Sequence, residues 1–152
     1  MALRPHPPSP LLPALIGLLA PLALLALQPL PGRGELPPWV YGQEQRQAPV
    51  VVDLQVERLN RQGESVTLQA RLSRIRRQSV ATQLRPGQTL RIVYNVPPQR
   101  APGWAGPSPL PLLQVGERRT AWLQPGPGGS WKPAAGGRSF GPSMEEFREP
   151  GR

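Results

Sequence analysis

The 152-residue chain has no cysteine, one histidine (His6) and one lysine (Lys132). Without thiols there are no disulfides, zinc-thiolate sites, iron–sulfur clusters or cysteine nucleophiles, so packing alone must hold the fold. His6 lies in the extreme N-terminal stretch, and the rest of the chain therefore has no imidazole for acid–base work or metal ligation. Neither a metal site nor a cofactor is expected. Proline is nearly missing from the centre: eleven residues fall in 1–49, eleven in 97–152, and Pro86 alone in 50–96. In bulk, 23 Pro and 16 Gly would suit a structureless chain, but this distribution marks a Pro-poor centre between two Pro-rich flanks. It excludes collagen, which needs Gly at every third place, and any long soluble helical bundle.

What is abundant is positive charge. Eighteen basic against nine acidic residues give a formal charge of +9, which attracts anionic surfaces such as lipid headgroups, acidic polysaccharide, nucleic acid or an acidic partner.

Arg4 precedes an apolar run, Leu11 to Leu27, broken only by Pro13, Gly17 and Pro21. A positive start followed by such a run is a secretory signal or, if uncleaved, a membrane anchor. The internal prolines weaken a permanent span, whereas a cut after Ala26 would put Leu24 where a small residue is preferred, so both readings stay open. Either way the protein is expected to be exported, periplasmic or extracellular, or anchored at the inner membrane. Residues 28–49 read as a Pro-rich extended linker, with Trp39, Val40 and Tyr41 positioned to cover a barrel edge or end.

The centre has period two. Val52, Leu54 and Val56 alternate with Asp53, Gln55 and Glu57, and Val66, Leu68, Ala70 and Leu72 alternate with Thr67, Gln69 and Arg71, as half-buried strands do. Gly63 suits a hairpin between them, and the slip of parity before Ile75 predicts a bulge near Ser73 and Arg74. Pro86-Gly87 occupies the middle of a type II turn leading into a third strand with Leu90, Ile92 and Tyr94 inward. Prolines at 97–111 demand a long surface connection. A final hairpin around 125–129 then joins RRTAWLQ to SWKPAA, and 141–152 reads as a frayed, disordered tail. Five short strands in a small domain close on themselves, so 50–140 is expected to form a mainly β, five-stranded antiparallel OB-like barrel.

Three stretches, LRPGQTLRIVY, PGWAGPSPLPLLQVGERRTAWL and GGSWKPAAGGRSF, together with the exported N-terminus, resemble small uncharacterised secreted OB-like proteins of cyanobacteria. The resemblance spans roughly Val50 to Phe140 and implies fold and export. It assigns no activity and transfers no functional residue.

The densest basic cluster is Arg71, Arg74, Arg76 and Arg77. Its readings are a solvated face, contact with an anionic envelope polymer, and nucleic-acid binding, in that order, because single-strand binding needs aromatic platforms that the strands lack. Trp104 and Trp122 either present a binding surface for proteins or sugars or pack on each other. For catalysis, Ser139 or Ser130 with Lys132 lacks the spacing of an activated nucleophile, and Asp53, Glu57 and Glu64 look solvated. The sequence therefore points to a non-catalytic exported binding or envelope-assembly module, with another envelope protein or an anionic envelope polymer as partner. The rival readings are an extracytoplasmic hydrolase and a nucleic-acid binder.

Overall fold

Alternating apolar residues build the first long hairpin. β1 (Val50–Gln62) pairs antiparallel with β2 (Ser65–Gln78), and Val50, Val52, Leu54 and Val56 bury against Val66, Leu68, Ala70 and Leu72. The computed structural model describes residues 34–98 and 106–151. The apolar stretch expected to be a signal or anchor helix, and Trp104 with it, lie outside the described residues. Among the described residues no helix is long and apolar enough to cross a membrane.

Gly63, at φ 61°, takes the first of the two turn positions between Gln62 and Ser65, where a type II′ hairpin needs a positive φ. Past it, the pairing of β1 with β2 is interrupted three times, leaving Glu57, Ser73 and Arg76 as extra residues. The expected bulge is thus centred on Ser73, whose hydroxyl donates to the Asp53 carbonyl. Bulges bend and coil a strand, and here they let one hairpin wrap far enough round to close a small barrel.

Pro86 and Gly87 form the expected type II turn, with Gly87 at φ 84° and the Gln88 amide donating to the Arg85 carbonyl at 3.2 Å. The turn feeds β3 (Thr89–Asn95), antiparallel to β2. β4 (Arg118–Pro125) pairs antiparallel with the other side of β1, and β5 (Trp131–Pro133) joins β4 to β3. The result is a closed barrel of order β1-β2-β3-β5-β4. It is mixed where an antiparallel barrel was expected, since β5 runs parallel to β3 at Ile92 and Trp131. An odd number of strands cannot alternate in direction all the way round a closed ring, so one parallel pair is unavoidable.

Leu90, Ile92, Tyr94, Ala121 and Leu123 complete the interior, and Leu84, Leu113 and Phe140 plug it. The Tyr94 and Phe140 rings lie 5.5 Å apart. A second, smaller apolar cluster sits outside the barrel wall, where Val51 and Trp122 meet Ala48 and Ala135.

Two segments differ from the sequence reading. Residues 38–47, expected to be extended linker, form the helix α1 (Pro38–Gln47), which opens with Pro at a first-turn position and buries Tyr41, Gly42 and Gln45. The residues after Phe140, expected to be a frayed tail, are held by hydrogen bonds to α1: the Gln45 side chain receives the Met144 amide at 2.6 Å, and Arg46 donates to the carbonyls of Glu145 and Phe147. The connection into β4 is likewise docked over its described part. The Ser108 amide donates to the Tyr41 hydroxyl, and Tyr94 donates to the Pro111 carbonyl.

Candidate functional site

The four arginines singled out as one cluster go to different places, because the bulges at Ser73 and Arg76 redirect successive side chains. Arg77 turns toward α1 and donates to the Gln45 and Ala48 carbonyls and to the Glu145 carboxylate. Its role there is structural. Arg76 pairs with Asp53 at 2.7 Å, and Arg71 with Glu57 at 2.6 Å. Arg74 lies opposite Asp53 in the ladder and is exposed.

Trp122 is not available as a platform. It is 2% exposed, and its indole N–H donates to Glu145 at 2.9 Å. The parity that turns it away from Ala121 and Leu123 was legible, but the cover supplied by both chain ends was not. Trp104 lies outside the described residues, and the expected pairing with Trp122 lies outside them with it.

The basic surface that does form is set by register across the outer wall. One row runs Arg118, Gln55, Arg71 and Thr89 over β4, β1, β2 and β3, and the next runs Arg58, Gln69 and Arg91 over β1, β2 and β3. With neighbouring strands about 4.8 Å apart, Arg58 and Arg91 stand roughly 10 Å from each other. Beyond the second row follow Asn60, Thr67 and Val93, then Gln62, Ser65 and Asn95. Strand alternation is the sequence signal that turns Arg58 and Arg91 outward, and the register is needed to bring them into one row.

Three carboxylates on and beside this wall, Asp53, Glu57 and Glu117, are already engaged. Burial pushes Asp53 up, but hydrogen bonds from Arg76 and Thr120 and the charges of Arg76 and Arg74 hold it below the usual carboxylate range. Hydrogen bonds from Arg71 and Thr89 hold Glu57 down, and the Gln114 amide and Arg119 do the same for Glu117. Among the described residues, Arg58, Arg74, Arg91 and Arg118 have no carboxylate within ion-pair distance. Arg58, Arg91 and Arg118 are exposed cations in rows shared with Gln55, Gln69 and Thr89, and no aromatic residue stands in those rows.

The residues considered for catalysis have other work. Ser139 is fully buried, and its hydroxyl donates to the Gly136 carbonyl while accepting the Ala135 amide. Ser130 donates to the Pro127 carbonyl. Asp53 is held by Arg76 and Thr120, and Lys132 is exposed on β5. Among the described residues no group of three or more His, Cys, Asp or Glu side chains is placed to hold a metal ion.

The chain matches no protein-family model and no curated protein.

Proposed function

We propose that this chain is an exported, non-catalytic binding module whose OB-like barrel presents an arginine-rich outer wall to a component of the cell envelope. Export rests on Arg4 and the apolar run from Leu11 to Leu27. The OB-like reading rests on the strand order, a five-stranded ring with β1 next to both β2 and β4 and β5 closing onto β3. The resemblance to secreted OB-like proteins of cyanobacteria agrees with both.

The observation that carries the binding reading is the set of exposed arginines with no carboxylate partner. Cations gathered on one wall repel one another, and they focus a positive field outward. Partner and membrane contact follow from the same reading: an envelope protein or an anionic envelope polymer meets the wall, and the N-terminal segment touches the membrane where it is retained.

The test is fractionation of the native cells with N-terminal sequencing, followed by cross-linking in the envelope fraction. The reading expects the protein outside the cytoplasm and retained by the envelope until salt releases it. A cytoplasmic protein, or one that washes free at low salt, overturns it.

A further inference from the structure

Resting on that reading, we infer that the outer wall of β1, β2 and β3 binds an acidic polysaccharide, a chain that carries carboxylates and hydroxyls together. Three features of the wall select this chemistry.

The first is how cations alternate with amides. In one row Gln55 sits between Arg118 and Arg71, and in the next Gln69 sits between Arg58 and Arg91. A guanidinium offers a planar fork of donors to a carboxylate. A neighbouring amide both donates and accepts, which is what a sugar hydroxyl needs. A polyuronate places one carboxylate on each sugar with hydroxyls between, and so offers the complementary alternation.

The second is the absence of rings. Single-stranded nucleic acid is held by stacking bases on aromatic side chains, each worth about 1–3 kcal/mol. The two arginine rows contain no aromatic residue, and Tyr94 on β3 is buried with its hydroxyl bonded to Pro111. No aromatic platform in these rows would stack a base.

The third is that Asp53 and Glu57 are taken up by Arg76, Arg71, Thr120 and Thr89. They are shielded from an approaching polyanion by their own partners, while among the described residues Arg58, Arg91 and Arg118 form no ion pair, Arg58 only adding its charge to the field at Glu57. The wall is thus preorganised for negative charge.

The experiment uses the full chain with polygalacturonate as probe, and polyphosphate, single-stranded DNA and neutral dextran as comparisons. Polygalacturonate should bind at low salt and weaken about tenfold for Arg58→Gln with Arg91→Gln. A charge-matched control, Lys132→Gln with Arg148→Gln, should leave binding unchanged. Gln55→Ala with Gln69→Ala should weaken polygalacturonate severalfold and leave polyphosphate alone, which separates hydroxyl recognition from charge. Equal losses in both arginine and control pairs overturn the inference, as does tighter binding of DNA than of polygalacturonate. If no acidic polymer binds but the envelope fraction still retains the protein, the polysaccharide inference fails and the envelope reading stands. If retention is lost too, both fail.

Discussion

The indole N–H of Trp122, on the outer side of β4, donates to the carboxylate of Glu145 at 2.9 Å. The same carboxylate receives Arg77 from β2 at 3.2 Å, so one acid near the C-terminus ties two strands of the barrel together. Around it Gln45 and Arg46 of α1 bind residues 142–147, and the two ends of the domain form one clasp over the second apolar cluster.

Glu145 is only partly buried and keeps Arg77 when the indole is lost, so removing Trp122's N–H costs about one hydrogen bond to a charged group. Trp122→Phe is therefore expected to lower unfolding stability by about 1–2 kcal/mol. Glu145→Ala should cost at least as much, since Arg77 also loses its carboxylate. Urea denaturation of both variants and of the double variant checks this, and the coupled pair should be clearly non-additive.

Gly42 lies where α1 crosses the C-terminal segment, and a Cβ there would stand 2.3 Å from the Met144 carbonyl oxygen. Backbone cannot yield as a flexible side chain can, so Gly42→Ala should open the clasp rather than be absorbed. The expected cost is about 1–3 kcal/mol, with faster trypsin cleavage at Arg148 as the local readout. Cleavage no faster than in the unaltered protein would show that the helix and the segment are not in contact.

Asp53, Glu57 and Glu117 all have lowered pKa values in the folded state. The unfolded chain then binds protons more readily than the folded one as acid is added. Their stabilisation is complete above the ordinary carboxylate range and is lost as pH falls through their lowered folded values. Thermal midpoints should accordingly fall on acidification, and Asp53→Asn should flatten that fall. Glu44 has the opposite sign: burial raises its pKa, and one carboxylate oxygen is buried with no hydrogen-bond partner. Its ionisation opposes folding above its raised value, so Glu44→Gln should raise the midpoint at neutral pH and lose that advantage in acid.

Ser139 closes the turn at Gly136–Arg138 with its hydroxyl, and the turn leads Phe140 into the barrel mouth beside Tyr94. Ser139→Ala should cost about 1–2 kcal/mol by stranding the Ala135 amide, read by thermal denaturation. A hydrolase using Ser139 would instead lose turnover with stability unchanged.

What the sequence made readable is the part governed by short-range rules. Period-two alternation located the long hairpin and β3, the parity slip located the bulge at Ser73, and Pro86-Gly87 located its turn. The helix α1 was not readable, because its buried face is Tyr41, Gly42 and a fully buried Gln45 whose partners, Arg138 and Met144, lie far along the chain. A Gln-rich decapeptide that opens on the second of two prolines carries no helical stripe. The parallel meeting of β3 and β5 was implied by five strands in a closed ring, but only once closure itself was taken as given. The Arg71 to Arg77 run looked like one patch because sequence proximity ignores bulges. Two extra residues on β2 send Arg77 to the clasp and Arg76 to Asp53, and of the arginines without an ion pair only Arg74 belongs to that run, Arg58, Arg91 and Arg118 coming from β1, β3 and β4.

The clasp also decides how the domain answers force. Tension applied between a held N-terminus and the C-terminus reaches α1 and residues 142–147 first, and the few hydrogen bonds of Gln45, Arg46 and Arg77 carry the load before any strand ladder does. The barrel is thereby spared from shear at its edges, and the clasp becomes the mechanical fuse of the molecule.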